Sequence, residues 1–202
     1  ENRTYDDFKA LNLQLSEFWE MDTVLSARGC LKCILTFVDP EISLFYARLL
    51  PCHEPCYVER AFDTLEKTLG GVYEFQSILP VILTDRGTEF GKPDNLETNK
   101  EGIIRTSIYY CDPMRSGQKG CLEEAHTLLR MILPKGTLFT DLTQWDVRRI
   151  VNHMNSYARK NLEGATPYQL ALKKYGPEIL EALQIKFIPP DEVTMSPDLL
   201  KK

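Results

Sequence analysis

Val81-Ile82-Leu83-Thr84-Asp85-Arg86-Gly87-Thr88-Glu89-Phe90 is the stretch whose reading decides the fold. Its apolar start reads as a buried strand. The strand stops at an acidic residue with glycine two positions on, the mark of a strand passing into a turn. Asp85 then sits at the carboxyl end of its strand, the edge at which open α/β sheets bind ligands. A turn or helix-capping aspartate is the ordinary alternative. Two further carboxylates at matching places shift the balance towards a site.

Working outward, the 202 residues suffice for one large domain with a substantial core, and 43% apolar with 26% charged residues is ordinary for a globular chain. A formal charge of −5 and a pI near 5.3 do not suggest a surface that holds phosphates by counterion release. The chain opens at Glu1 rather than Met and reads as a fragment, so a main DNA-reading part is expected elsewhere. No stretch approaches the ~18 apolar residues of a membrane span, and there is no signal-peptide pattern, so the expected location is intracellular. Cys30-x-x-Cys33 and Cys52-x-x-x-Cys56, with His53 nearby, have spacings that a zinc ion would accept. Cys33, however, opens an apolar strand that aims its side chain into packing, and free, mostly buried thiols are the expectation.

Taken in order, residues 1–17 read as a lead-in or linker. Strands are expected at 18–25, 31–38 and 42–50, joined by short turns as an antiparallel meander. Val58, Ala61, Phe62, Leu65 and Leu69 mark one buried helical face, ended by Gly70-Gly71. After the strand beginning at Val81, the polar stretch 86–104 reads as a long mobile loop. A fifth strand is expected at 105–110 and a helix over about 119–133, with Leu122, Ala125, Leu129 and Ile132 inward. On a different face of that helix lie Glu123, His126 and Arg130. Thr143-x-x-Asp146 reads as a capping box opening another helix, and Thr166-Pro167 opens a short one over 167–175. Another helical turn begins at Pro177, and the tail from 188 reads as extended. Trp19 and Trp145 read as packing residues. The order of elements matches a ribonuclease-H-like α/β layout, a five-stranded mixed sheet flanked by helices. Its core is expected at 18–140, a C-terminal helical extension at 141–187 and a tail at 188–202. In that layout the first and fourth strands are parallel neighbours, which would bring Asp22 beside Asp85.

Several motifs then occur in register. Glu20-Met21-Asp22-Thr23-Val24, Leu83 to Phe90, Tyr110-Cys111-Asp112-Pro113, Gln118-Lys119-Gly120-Cys121-Leu122-Glu123 and Leu133-Pro134-Lys135-Gly136-Thr137 resemble successive motifs of the DDE transposases of bacterial insertion sequences, specifically the insertion-sequence thirty family, with a retroviral-integrase-like catalytic core. Asn155 to Lys160 with Thr166-Pro167-Tyr168 resembles the segment that follows that core. The resemblance implies a catalytic and metal-binding triad of Asp22, Asp85 and Glu123, cutting at transposon ends and strand transfer into target DNA. It also implies a homodimer or larger synaptic complex and an N-terminal helix-turn-helix domain in the full-length protein, a bacterial, nucleoid-associated one. Chemistry supports the triad independently. In-line phosphoryl transfer is served by two Mg²⁺ ions held by a few carboxylates, with Mn²⁺ as a substitute. Glu124 competes with Glu123, and the register favours Glu123. Where the family surrounds that Glu with Asn, this chain has Leu122, Glu124, Ala125 and Thr127.

Around the triad, His126, Arg130, Lys119, Lys135, Arg159 and Lys160 are the expected DNA contacts, a solvated helix face being the plainer reading of each. Three carboxylates gathered without metal are expected to repel one another, so that Asp85→Asn leaves metal-free stability unchanged or raised. Two other readings share these residues: a ribonuclease-H-like nuclease that hydrolyses without joining strands, and a degenerate relative that binds DNA or partners only.

Overall fold

The computed structural model describes residues 3–201, apart from the side chain of Ser116. Five strands form one mixed sheet: β1 (Trp19–Leu25), β2 (Cys33–Asp39), β3 (Leu44–Leu50), β4 (Val81–Thr84) and β5 (Ser107–Tyr110), in the spatial order β3-β2-β1-β4-β5. The first three pair antiparallel, and β4 and β5 extend the sheet in parallel beyond β1. β2 is buried along its whole length, which explains its uninterrupted apolar run. β1 lies between β2 and β4 and alternates its sides, so Glu20 and Asp22 point one way and Met21 and Thr23 the other.

Seven helices accompany the sheet among the described residues: α1 (Tyr5–Ala10), α2 (Pro55–Leu69), α3 (Val72–Ile78), α4 (Pro93–Glu97), α5 (Gly120–Ile132), α6 (Gln144–Ser156) and α7 (Pro167–Ala182). The expected inward face of α2 is buried, and Gly70 ends the helix at φ +109°, a conformation a side chain would resist. α6 opens with the expected capping box, in which the Thr143 hydroxyl accepts from the Asp146 N–H and the Asp146 carboxylate accepts from the Thr143 N–H. α7 is two helical pieces kinked at Gly176-Pro177, as the sequence suggests.

Four segments differ from expectation. α3 was not anticipated; seven residues starting directly after Gly71 leave too few turns for a periodic signal. Residues 86–104 are packed: they hold a 3₁₀ turn (Thr88–Phe90), α4 and a bridge from Thr98 to Ile104, with Phe90 and Leu96 fully buried. Arg105 organises them. Its Nε donates to the Leu96 carbonyl at 2.7 Å and its Nη2 to that of Asn95 at 3.1 Å, while its Nη1 meets Asp63 at 2.9 Å and Glu66 at 3.1 Å. The guanidinium also lies over the rings of Phe62 and Phe75.

The expected lead-in is an integral layer. Phe8 packs with Phe18, Leu83 and Cys111, the Arg3 carbonyl accepts the Tyr110 N–H at 2.8 Å, and the Arg3 guanidinium pairs with Glu97 and Asp94. This cover blunts the outer edge of β5. The tail is likewise tied down. Ser156 and His153 of α6 accept the N–H groups of Ile188 and Thr194, and a 3₁₀ turn (Pro197–Leu200) buries Leu199 in the main core. Residues 1, 2 and 202, the outer ends of the expected lead-in and tail, lie outside the described residues.

Because Arg105 is 1% exposed and offsets two carboxylates, Arg105→Met is expected to cost about 3–5 kcal/mol of unfolding free energy, the usual range for breaking a buried charge pair. Urea denaturation measures this, and a loss below about 1 kcal/mol would refute the role assigned to Arg105.

Candidate active site

Asp22 lies near the middle of β1 and Asp85 one residue beyond β4, and the two strands are parallel neighbours. Asp22 Oδ1 accepts the Thr23 N–H at 2.7 Å, and Asp85 Oδ1 accepts the Gly87 N–H at 2.9 Å, so one oxygen of each carboxylate is fixed by backbone. Their other oxygens turn towards the same ammonium, Lys119 Nζ, at 2.8 Å from Asp22 and 3.6 Å from Asp85. Glu123, exposed in the first turn of α5, lines the same cleft of about 340 Å³. Glu124, its sequence rival, does not line the cleft.

The expected repulsion between the two aspartates therefore needs correction. Lys119 is 5% exposed and also donates to the Met21 carbonyl at 3.3 Å, so a full positive charge sits at the floor of the cleft. Its bond to Asp22, 25% exposed, is the strong one. The Asp85 carboxylate is 47% exposed and farther off, and a pair of that kind contributes roughly 0–1 kcal/mol. Asp22 and Lys119 are the coupled pair, and Asp85 is the freer carboxylate.

α5 is positioned by a third acid. Glu20 is buried, and its Oε2 accepts the Leu122 N–H at 2.7 Å, satisfying one of the free donors in the helix's first turn. Burial pushes the Glu20 carboxyl up to about 7, against the opposing pull of the Leu122 N–H and Lys119. One turn into α5, His126 faces the sheet rather than solvent. The Thr36 hydroxyl gives its proton to the Asp22 carbonyl at 3.0 Å, so it must accept from His126 Nε2 at 2.8 Å, which fixes the proton on that nitrogen. Burial lowers the His126 pKa. A neutral imidazole bonded to Thr36 braces β1 and β2, in place of the DNA contact expected of it.

The other expected DNA contacts divide by exposure. Lys135 and Lys160 are exposed. Arg130 is half-buried and donates to the Leu133 carbonyl at the end of its own helix. Arg159 is buried, donating to the Met154 carbonyl, with its Nε unpartnered. Lys119, 5% exposed, lines the floor of the cleft, and Arg159 is enclosed by the fold. Arg86 and Arg115, both exposed, line the cleft beside the carboxylates. They were not among the expected contacts, although Arg86 directly follows Asp85. Trp145, expected in packing, is 61% exposed beneath the Arg149 guanidinium. His53 does not face a cysteine cluster; its Nε2 lies 2.6 Å from Glu89 Oε1 and 3.0 Å from the Thr23 hydroxyl.

Glu89 was also missed. It is 3% exposed, takes the Thr23 hydroxyl proton on Oε1, and leaves Oε2 buried without a partner. It ties the loop after Asp85 to the strand bearing Asp22. The only signal was its place in the Leu83 to Phe90 motif.

As the side chains stand, no three His, Cys, Asp or Glu groups among the described residues are close enough together to hold one metal ion. The donor chemistry nonetheless suits a hard divalent cation. Asp22, Asp85 and Glu123 offer carboxylate oxygens to one cleft, and two of them already share a positive charge.

Two predictions concern this framework. Between the unfolded value of about 4.3 and the folded value of about 7, the native protein holds the extra Glu20 proton, so stability is lost as pH rises through that window. Glu20→Gln keeps an oxygen for Leu122 without the charge. In metal-free buffer it is expected to melt above the parent at pH 8 and to converge with it near pH 4, whereas a pH-independent gap would contradict the assignment. At Gly87 an added Cβ would lie 2.7 Å from the Glu89 carboxyl carbon. Gly87→Ala is therefore expected to cost about 1–3 kcal/mol by overpacking. Its combination with Glu89→Ala should cost less than the sum of the two, as chemical denaturation of the double-mutant cycle would show.

No protein-family model matches the chain. It is 27% identical over 148 residues to the transposase for insertion sequence element IS4351 of Bacteroides fragilis, covering 73% of this chain and 42% of that protein. It is 32% identical over 87 residues to transposase InsI for insertion sequence element IS30A of Escherichia coli K12, covering 43% of this chain and 21% of that protein. The chain thus spans less than half the length of these relatives. Among solved structures, the catalytic core domain of BIV integrase shares the fold, with a TM-score of 0.54 at 18% identity over 79% of this chain and 95% of that one. In sequence the chain is thus similar to transposases of insertion sequence elements, and in fold to an integrase catalytic core domain.

Proposed function

We propose that Asp22, Asp85 and Glu123 are the catalytic carboxylates of a polynucleotidyl transferase that cuts DNA at the ends of a mobile element and joins those ends to target DNA. The observation that carries this reading is the meeting of an aspartate on β1, an aspartate just beyond β4 and a glutamate on α5 in one cleft, from points far apart in the chain. These three would hold Mg²⁺, with Mn²⁺ as a substitute. When bound, such ions supply the charge that in-line phosphoryl transfer requires at the attacking and leaving oxygens. The chain's own groups do the rest. Backbone N–H groups of Thr23 and Gly87 fix one oxygen of each aspartate, leaving the other for a ligand. Glu20 sets the first turn of α5 and thereby the place of Glu123. Arg86 and Arg115 at the cleft, with Lys135 and Lys160 on the exposed surface, are suited to phosphates as charge-assisted donors. The acidic total of −5 is compatible with this, since only a local cationic surface is required. Assembly as a homodimer or larger complex on DNA belongs to the same reading, because two element ends must be handled together. So does a helix-turn-helix domain elsewhere in the full-length protein.

One observation favours a second reading, a core that binds DNA without cutting it. Lys119 already pairs with Asp22 and lies near Asp85, and no three ligand-type groups among the described residues converge closely. Oligonucleotides carrying element ends, incubated with Mg²⁺ or Mn²⁺ with and without a target duplex, separate the readings. Asp22→Asn, Asp85→Asn and Glu123→Gln are each expected to lower nicking at least about 10³-fold, and Glu124→Gln to leave it within a few-fold. Binding without any nicking would establish the second reading, and nicking without joined product would reduce the first to hydrolysis.

A further inference from the structure

Lys119 is the least expected cation in the molecule. Lysines are almost never fully buried unless paired, and this one ends the 3₁₀ turn Ser116–Lys119 with its ammonium bonded to β1, the central strand. An ammonium has three protons to give. Here one goes to Asp22 Oδ2 at 2.8 Å, one to the Met21 carbonyl at 3.3 Å, and Asp85 Oδ2 lies 3.6 Å away. The cleft does not lack positive charge, since Arg86 and Arg115 line it from exposed positions. What sets Lys119 apart is its place between two carboxylates that no other cation among the described residues bridges.

Two opposed effects meet at such a position. Without a counter-charge, neighbouring carboxylates repel and weaken the fold. With one, the same carboxylates are less available to a divalent ion, which must work against a resident positive charge a few ångströms away. At that range, and at the effective dielectric of a protein surface, the electrostatic term far exceeds thermal energy.

We propose that Lys119 is a built-in counter-cation. It is bonded to Asp22 and lies close to Asp85 in the metal-free protein, and its ammonium must leave Asp22 for a divalent ion to bind, so that metal affinity is set by a competition internal to the chain. This rests on the reading of Asp22 and Asp85 as metal ligands. Ion binding then frees a positive charge at the floor of the cleft, where a phosphodiester can use it.

Lys119→Met keeps the buried stem and removes the charge, and Lys119→Arg keeps the charge. The test measures Mn²⁺ binding by isothermal titration calorimetry and metal-free melting by circular dichroism, on the full 202-residue chain. Lys119→Met is expected to melt lower than the parent without metal, yet to bind Mn²⁺ at least about tenfold more tightly, a difference of about 1.4 kcal/mol. Lys119→Arg should stay within about threefold of the parent. Should Lys119→Met fail to fold, Lys119→Gln takes its place in the same comparison. Equal or weaker Mn²⁺ affinity in the uncharged variant, beside a parent that binds, would overturn the counter-cation while leaving the metal site standing. Folded parent and variant that both fail to bind Mn²⁺ would overturn the metal-site reading itself, and the counter-cation with it.

Discussion

Two parallel pairings, Trp19 with Ile82 and Glu20 with Leu83, set the position of everything functional in this chain. They bring the fourth strand against the first although some sixty residues and two helices separate them. Parallel pairing gives both strands the same direction, so the acidic residues at and just beyond these pairings emerge at one end of the sheet. Thr84 reinforces the join by donating to the Met21 carbonyl at 3.0 Å, and Glu89 adds a bond from the loop beyond Asp85 back to Thr23. Loss of that alignment would leave two ordinary turn aspartates.

α5 then completes the cleft by doing several jobs at once. Its buried stripe, with Leu122, Ala125, Leu129 and Ile132, holds it to the core, and Glu20 accepts one N–H of its first turn. Lys119 anchors the residue before it to Asp22, and His126 reaches Thr36 across the sheet from one turn further on. The helix is thus fixed by polar contacts on the face that carries Glu123. Such contacts define an orientation more sharply than apolar packing alone, because each accepts only a narrow range of distances and angles.

Much of this was legible in the sequence. The five strands, their mixed order, the α2 stripe and the α6 capping box follow from periodicity and turn chemistry, and the family motifs led to the carboxylates that share the cleft. What escaped depended on partners distant in the chain. Residues 86–104 looked loose because their cohesion comes from Arg105, just beyond them, meeting Asp63 and Glu66 on α2. The lead-in looked unstructured because its six-residue helix gains stability from Phe8 docking on Phe18 and from Arg3 meeting Glu97, contacts no local pattern reveals. Lys119 and Arg159 were read as surface charges because a sequence gives the sign of a side chain and not its surroundings. Burial turned one into an internal counter-charge and the other into a brace for a helix end.

The cage around Arg105 also bears on how this chain can diverge. A fully buried guanidinium lying over two phenyl rings, spending its donors on Asp63, Glu66 and two carbonyls, resists stepwise replacement: altering the cation leaves Glu66 and both carbonyls without their donor and Asp63 with Lys100 alone, and altering either anion leaves the buried cation with one carboxylate. Across descendants of this sequence these three positions should drift in concert or not at all. The solvent-facing turns of the same 86–104 segment are free to vary around them, and so to reshape the rim of the cleft while its foundations stay put.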